Sequence, residues 1–255
     1  DVHLNTRVLG LEHNNRRITK VIAQQGDNIL QFEAEHFISS MPLTTLINRL
    51  DPAPPSKVLD AANQLKYRDF LIVSLIIDAR DLFPDNWIYI HSPGVKVGRI
   101  QNFKNWSPAM VPDARKTCLG MEYFCNAGDS LWEMSNAELI ELAKQELGIL
   151  GLAKGKVVED GVVIRQPKAY PVYDHEYRQH LGVIQTYLQK FENLQTTGRN
   201  GMHRYNNQDH SMLTGLLAAK NILGEKHDLW EVNTERSYHE EFTTKPKSED
   251  LIVLK

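Results

Sequence analysis

Polar and apolar residues alternate along the start of the chain. His3–Glu12, Ile18–Gln24 and Leu30–Ala34 read as three strands, parted by turns at Asn14-Asn15 and Gly26-Asp27. A fourth apolar segment, Glu35 to Pro42, ends on proline, which cannot donate to a ladder. Leu43–Leu50 reads as a short helix stopped by Asp51-Pro52-Ala53-Pro54-Pro55, and Ser56 is placed to cap a helix to Leu65. Phe70–Ile77, FLIVSLII, has no polar alternation and predicts a strand covered on both faces. Trp87–His91, Val97–Asn102 and Thr117–Phe124 add strands. Ser135-Asn136-Ala137-Glu138 is a capping box, continued by Leu139, Ile140, Leu142 and Leu147 as an amphipathic helix that Gly148 and Gly151 end. Val157–Arg165 returns as a strand. Asp174 then stands where a helix to Phe191 needs its cap, and a last helix runs from Gln208 to Leu223.

Composition narrows the classes without changing that outline. The 255 residues are 42% hydrophobic and 24% charged, which is globular, and they suffice for one large domain or two. A net charge of −3 with mixed signs argues against nucleic acid as partner. No run approaches the ~20 apolar residues that span a bilayer. Two cysteines, Cys118 and Cys125, are too few for a disulfide framework and point to a reducing compartment, with cytoplasm the expected location. The histidines show no metal-binding spacing.

The densest chemistry lies in Gly198–Leu223, GRNGMHRYNNQDHSMLTGLLAAKNIL. Gly198 and Gly201 permit positive φ or close backbone approach. Arg199 and Arg204 are fixed positive forks suited to phosphate oxygens. The helix that follows carries Gly215, Ala218 and Ala219, and its N-terminus presents free N–H groups to an anion. Asp209-His210-Ser211 has the residue types of a hydrolase triad, but neighbours on one helical turn point apart.

Gly198, Arg199, Gly201, Arg204, Tyr205 and Asp209 spell G-R-x-G-x-x-R-Y-x-x-x-D. This resembles the C-terminal flavin-binding segment of the amine oxidase superfamily, and within it the UDP-galactopyranose mutases. Asn206, Asn207 and Gln208 depart from the mutase pattern between the tyrosine and the acid, so the flavin segment transfers better than the mutase chemistry. Glu35–Pro42 is similar to the family strand that ends beside the flavin. The run Ala169-Tyr170-Pro171-Val172-Tyr173 before a long helix is similar to the mutase layout.

The resemblance implies a mixed α/β fold, the C-terminal part of a two-dinucleotide-binding-domain FAD protein. Residues 1–50 would end the FAD domain, 51–165 would form an inserted sheet-plus-helix substrate lobe, 166–232 the C-terminal flavin segment and 233–255 a polar tail. A G-x-G-x-x-G after a strand, the pyrophosphate loop of such folds, is missing from the chain. The expectation is a piece of a longer flavoprotein whose N-terminal Rossmann half lies elsewhere, leaving an incomplete FAD site and an inactive fragment.

The implied cofactor contacts are Pro42, Gly198, Arg199, Tyr205, Asn206, Asn207, Gln208, Asp209 and Met212, with Arg199 at the pyrophosphate and Asp209 near the ribityl chain or ring. Tyr170 and Tyr173 are the first candidates for substrate contact. Asn102, Trp106, Glu122 and Tyr123 mix amide, aromatic and acid groups on a strand and its exit loop, as a sugar or nucleotide site needs, and Arg165 could neutralise a phosphate. Metal is not expected. The partner is a small organic substrate, with self-association left open. Three readings stand: an FAD-dependent oxidoreductase, a redox-neutral mutase-like isomerase, and a non-catalytic binding or assembly domain.

Overall fold

The computed structural model describes residues 1–153 and 155–234, so most of the expected tail lies outside the described residues. They form two units, one made of residues 1–66 and 173 onward, the other of Tyr67–Val172.

In the first unit the alternating segments pair as a meander. β1 (Thr6–His13), β2 (Ile18–Gln25) and β3 (Asn28–Phe32) run antiparallel, and each keeps one apolar side. β4 (Phe37–Ser39) leads through Pro42 into α1 (Leu43–Asn48). β5 (Leu50–Asp51) then joins β1 in parallel, and α2 (Ser56–Gln64) follows. Pro55, not Ser56, occupies the cap of α2, and no side chain closes it.

The second unit is a five-stranded antiparallel sheet. β6 (Tyr67–Ile77), β7 (Trp87–Tyr89), β8 (Arg99–Asn102), α3 (Phe103–Trp106), β9 (Thr117–Cys125), α4 (Ser130–Glu133), α5 (Asn136–Leu150) and β10 (Val158–Pro171) follow in order. The sheet order is β10-β6-β9-β8-β7. α5 opens on the expected capping box and closes on left-handed Gly151. Its Leu139, Ala143 and Leu147 pack with Leu71, Val73, Leu75, Ile77, Ile100, Leu119 and Met121.

That core corrects one expectation. β6 is buried at alternate positions rather than throughout, because Ile72, Ser74 and Ile76 face away from α5 and stay half-buried. An all-apolar strand satisfies a one-sided sheet as well as a covered one, so periodicity misreads it. The lobe boundaries also shift from 51 and 165. α2 packs its Val58, Ala61 and Ala62 into the first unit's core, and β10 continues pairing with β6 as far as Pro171 opposite Tyr67.

The first unit resumes with α6 (Tyr177–Leu188), β11 (Leu194–Thr196), α7 (Gly198–Gly201) and α8 (Gln208–Ile222). Asp174 does not cap α6. Its carboxylate accepts from the Glu176 N–H at 3.2 Å and pairs with Lys66 at 2.9 Å, and Glu176 takes the cap position. Lys66 accordingly holds the Asp174 carboxyl below its ordinary pKa. β11 lies parallel to β4, and among the described residues this sheet is two strands wide. α8 exposes Met212, Leu213 and Leu216.

Candidate functional site

Two clusters stand out, one in each unit. In the first, the turn between β11 and α8 is built on two glycines. Gly198 has φ +78°, and its N–H donates to Thr214 Oγ1 at 3.1 Å. Gly201 is buried against the exit of β4, where a Cβ would stand 2.8 Å from the Ser39 carbonyl oxygen and 3.1 Å from Ser40 Cα. Only a hydrogen fits there.

The two arginines brace this turn. Arg199 Nε donates to the Asn206 carbonyl at 2.8 Å and Nη2 to Asn207 Oδ1 at 3.3 Å, while the guanidinium lies 4.8 Å from the Tyr205 ring centroid. Arg204 donates to the Trp230 carbonyl and, at 3.1 Å, to that of Val232. The fork expected to hold a pyrophosphate therefore spends two donors on its own loop. Asn206 is buried and accepts at Oδ1 from Asn233 Nδ2 at 3.1 Å. Asn207 caps α8, and its N–H donates to His210 Nδ1 at 3.4 Å. Gln208, Asp209 and Met212 are exposed beside it. Pro42 is half-buried and accepts from the first amides of α1.

Tyr173 joins this cluster. Its hydroxyl accepts from the Tyr205 N–H at 2.6 Å and its ring stacks on Tyr177 with centroids 4.5 Å apart. Burial pushes the phenol up to about 12, against the pull of the Tyr205 N–H and of Arg204 and Arg199. A tyrosine ionises near pH ~10 in an unfolded chain. A raised folded pKa gives stability that is complete below the unfolded value and lost as pH climbs to the folded one. Alkaline unfolding curves should show that loss between about pH 10 and about pH 12, and Tyr173→Phe should flatten it there.

The second cluster lies on the sheet face that α5 leaves uncovered. Register sets Tyr89 against Arg99, Arg99 against Glu122, and Phe70 against Phe124. Arg99 and Glu122 are 7% and 1% exposed. Arg99 Nε is in ionic contact with Glu122 Oε2, short of hydrogen-bond alignment, and Gln101 Nε2 donates to Glu122 Oε1. Arg99 Nη2 donates to the Tyr170 hydroxyl at 2.8 Å. The rings of Phe124, Trp87, Tyr170 and Phe70 surround the guanidinium, with centroids 4.7 to 5.9 Å away. Burial works against the Arg99 charge, but Tyr170 and Glu122 outweigh it and keep its pKa above the ordinary value.

Of the expected substrate contacts, Tyr170 and Glu122 meet here. Tyr123 faces the opposite way, fully buried in the core, and donates to Glu146 Oε2 at 3.1 Å. Arg165 gives its donors to the carbonyls of Trp132 and Met134 and, at 2.7 Å, to Asn136 Oδ1. The hydroxyl of Tyr123 and three donors of Arg165 are thus engaged within the fold. Asn102 is buried with Nδ2 3.4 Å from the Phe83 carbonyl, and Trp106 is exposed on α3. Arg99, Gln101, Phe70 and Phe124 escaped the sequence reading. The signal was there, as Arg99 and Gln101 alternate with Ile100 and Asn102 in one strand.

The sequence model described as flavin containing amine oxidoreductase matches residues 1–223. The chain belongs to the flavin-containing amine oxidoreductase family. No curated protein matches it significantly. Among solved structures it is similar to reduced UDP-galactopyranose mutase, with TM-score 0.75 and 20% identity over 94% of this chain and 51% of that one. A putative protoporphyrinogen oxidase from Exiguobacterium sp. 255-15 matches with TM-score 0.55 and 14% identity over 76% of this chain and 42% of that one. The chain thus spans about half the length of these structures.

This family requires a flavin, and the first unit's residues fit one part of it. The N-terminus of α8, where Asn207 takes the His210 amide, carries exposed Gln208 and Asp209, and its other first-turn amides have no intrahelical acceptor. Beside Gly201, the buried Ser39 Oγ and Asn200 Oδ1 lack partners among the described residues. No phosphate loop accompanies them, because the chain has no G-x-G-x-x-G.

Proposed function

We propose that this chain supplies the substrate lobe and the C-terminal flavin segment of a longer FAD-dependent oxidoreductase acting on a small organic substrate with an anionic group. Sugars and nucleotide sugars are the favoured class. The observation that carries this reading is Arg99. It is almost wholly buried, and among the described residues its partners are the Glu122 carboxylate at Nε and the Tyr170 hydroxyl at Nη2. A guanidinium carries five N–H donors, more than these two partners use, and the remainder can meet an anionic oxygen of a substrate. Glu122 and Tyr170 fix the guanidinium, and aromatic rings strengthen its field by excluding water.

FAD, when bound, supplies the electron chemistry. In the first unit, α8 would offer its N-terminus to the flavin ring, with Gly198 and Gly201 giving backbone approach. Asn206, Asn207, Gln208, Asp209, Met212, Tyr205 and Pro42 are the proposed neighbours. Arg199 would act by holding that turn. A nucleotide-binding half would cover the open side of the β4–β11 pair and the apolar face of α8, which supports a longer protein. A cytoplasmic setting belongs to the same proposal, as Cys118 and Cys125 are free thiols.

A second reading, a redox-neutral mutase-like isomerase, draws on the likeness to UDP-galactopyranose mutase and on Arg204-Tyr205. Asn206-Asn207-Gln208 speaks against it. Full-length protein should purify with flavin absorbance, and a colourless product that gains none with added FAD removes both enzymes. Dithionite-reduced protein that interconverts the ring forms of UDP-galactose would favour the mutase. Flavin reduction by another donor, without that turnover, would favour the oxidoreductase.

A further inference from the structure

The uncovered sheet face continues past Arg99 to the edge of the sheet. Trp87 and Tyr89 on β7, and His91 just beyond it, occupy alternate positions, while Ile88 and Ile90 turn into the core. Pairing extends past the strand's formal end, as the Ile90 N–H donates to the Gly98 carbonyl at 2.9 Å. The Trp87 and Tyr89 centroids are 4.7 Å apart, and Tyr89 and His91 lie 6.2 Å apart and nearly parallel at 15°. Trp87 is 38% exposed and Tyr89 57%. Edge strands are commonly blunted by charge. Here no Asp, Glu, Lys or Arg occurs between Asp85 and Lys96.

We propose that Trp87, Tyr89 and His91 form a ring-stacking subsite for a sugar residue of the substrate that lies beyond the group held at Arg99. The inference rests on the reading of Arg99 given above. Continuity supports it, since Tyr89 is the register partner of Arg99 and the Trp87 ring lies 5.2 Å from that guanidinium. The chemistry of the strip selects the ligand. A flat apolar molecule is normally held in an enclosed pocket that removes most of its surface from water. This strip is exposed at Trp87 and Tyr89, and Gln101, the register partner of Trp87, stands beside it. It suits a ring with an apolar C–H face and hydroxyl edges that stay wet. Tyr and Trp have few torsions to freeze, so stacking on them costs little entropy.

The test uses full-length, flavin-loaded protein titrated with mono-, di- and trisaccharides of galactose and of glucose, each bearing a phosphate at its reducing end for Arg99. Adding a second ring should tighten binding by about tenfold, the size of one good aromatic contact. Tyr89→Ala should abolish that gain, and Tyr89→Phe should keep it. His91→Ala, at another exposed position, repeats the test if Tyr89→Ala fails to fold. Failure of every saccharide to bind, equal affinity at all lengths, or a gain that survives Tyr89→Ala and His91→Ala would each overturn the subsite. Flavin absorbance separates the two proposals, because its loss sinks the enzyme reading whatever the sugars do. Retained flavin with no length dependence sinks this one alone.

Discussion

Glu122→Ala should destabilise the protein by about 3–5 kcal/mol, read from the shift of its urea unfolding midpoint. Glu122 is 1% exposed and is the counter-ion of an arginine that is 7% exposed. Removing it leaves the Arg99 charge in a ring of Phe124, Trp87, Tyr170 and Phe70 without its carboxylate. Gln101 also loses the acceptor for its amide. The cost arises from the stranded cation, not from the loss of a favourable bond. The double variant Arg99→Met/Glu122→Leu should therefore recover most of the stability, since a buried pair replaced by apolar groups is often neutral or better. If Glu122→Ala and the double variant unfold at the same urea concentration, the stranded-charge account is wrong. The double variant should also lose turnover of an anionic substrate, which separates stability from function.

Gly201→Ala should cost about 1–3 kcal/mol, the usual price of overpacking. The new methyl would meet the Ser39 carbonyl oxygen at 2.8 Å and Ser40 Cα at 3.1 Å, both backbone atoms of the β4 exit. Gly120 makes the contrast. A Cβ there would stand 2.7 Å from the tip of the Phe103 ring, and a side chain can turn aside where a strand cannot. Gly120→Ala should thus be the milder change. If the proposed flavin segment is correct, Gly201→Ala also pushes α7 off β4 and lowers the flavin-to-protein absorbance ratio of the full-length protein. An unchanged midpoint would show that the β4 exit yields more easily than its packing implies.

Much of the fold was legible because it depends on neighbours in sequence. The meander was readable from alternation and turn residues, and α5 from Ser135, Glu138 and Gly151. The span of α8 matched Gln208 to Leu223 within a residue. The same local logic failed at Asp174, which fits a cap but is drawn to Lys66 by a contact that sequence spacing does not encode. At Arg199 it recognised a fork suited to phosphate, whereas the structure uses two of the donors to fold the loop over Tyr205.

The sequence by itself determined the family, through a glycine-arginine turn and helix whose order along the chain is the signal. It also determined the strand-rich lobe and the absence of a phosphate loop. Only the tertiary structure decided what the lobe's residues do. Strand register places Arg99 opposite Glu122 and the β10 bulge brings up Tyr170, while one step along the same strands Tyr123 is turned into the core. Alternation tells which residues share a face but not which face the helix covers, and α5 makes that choice from afar.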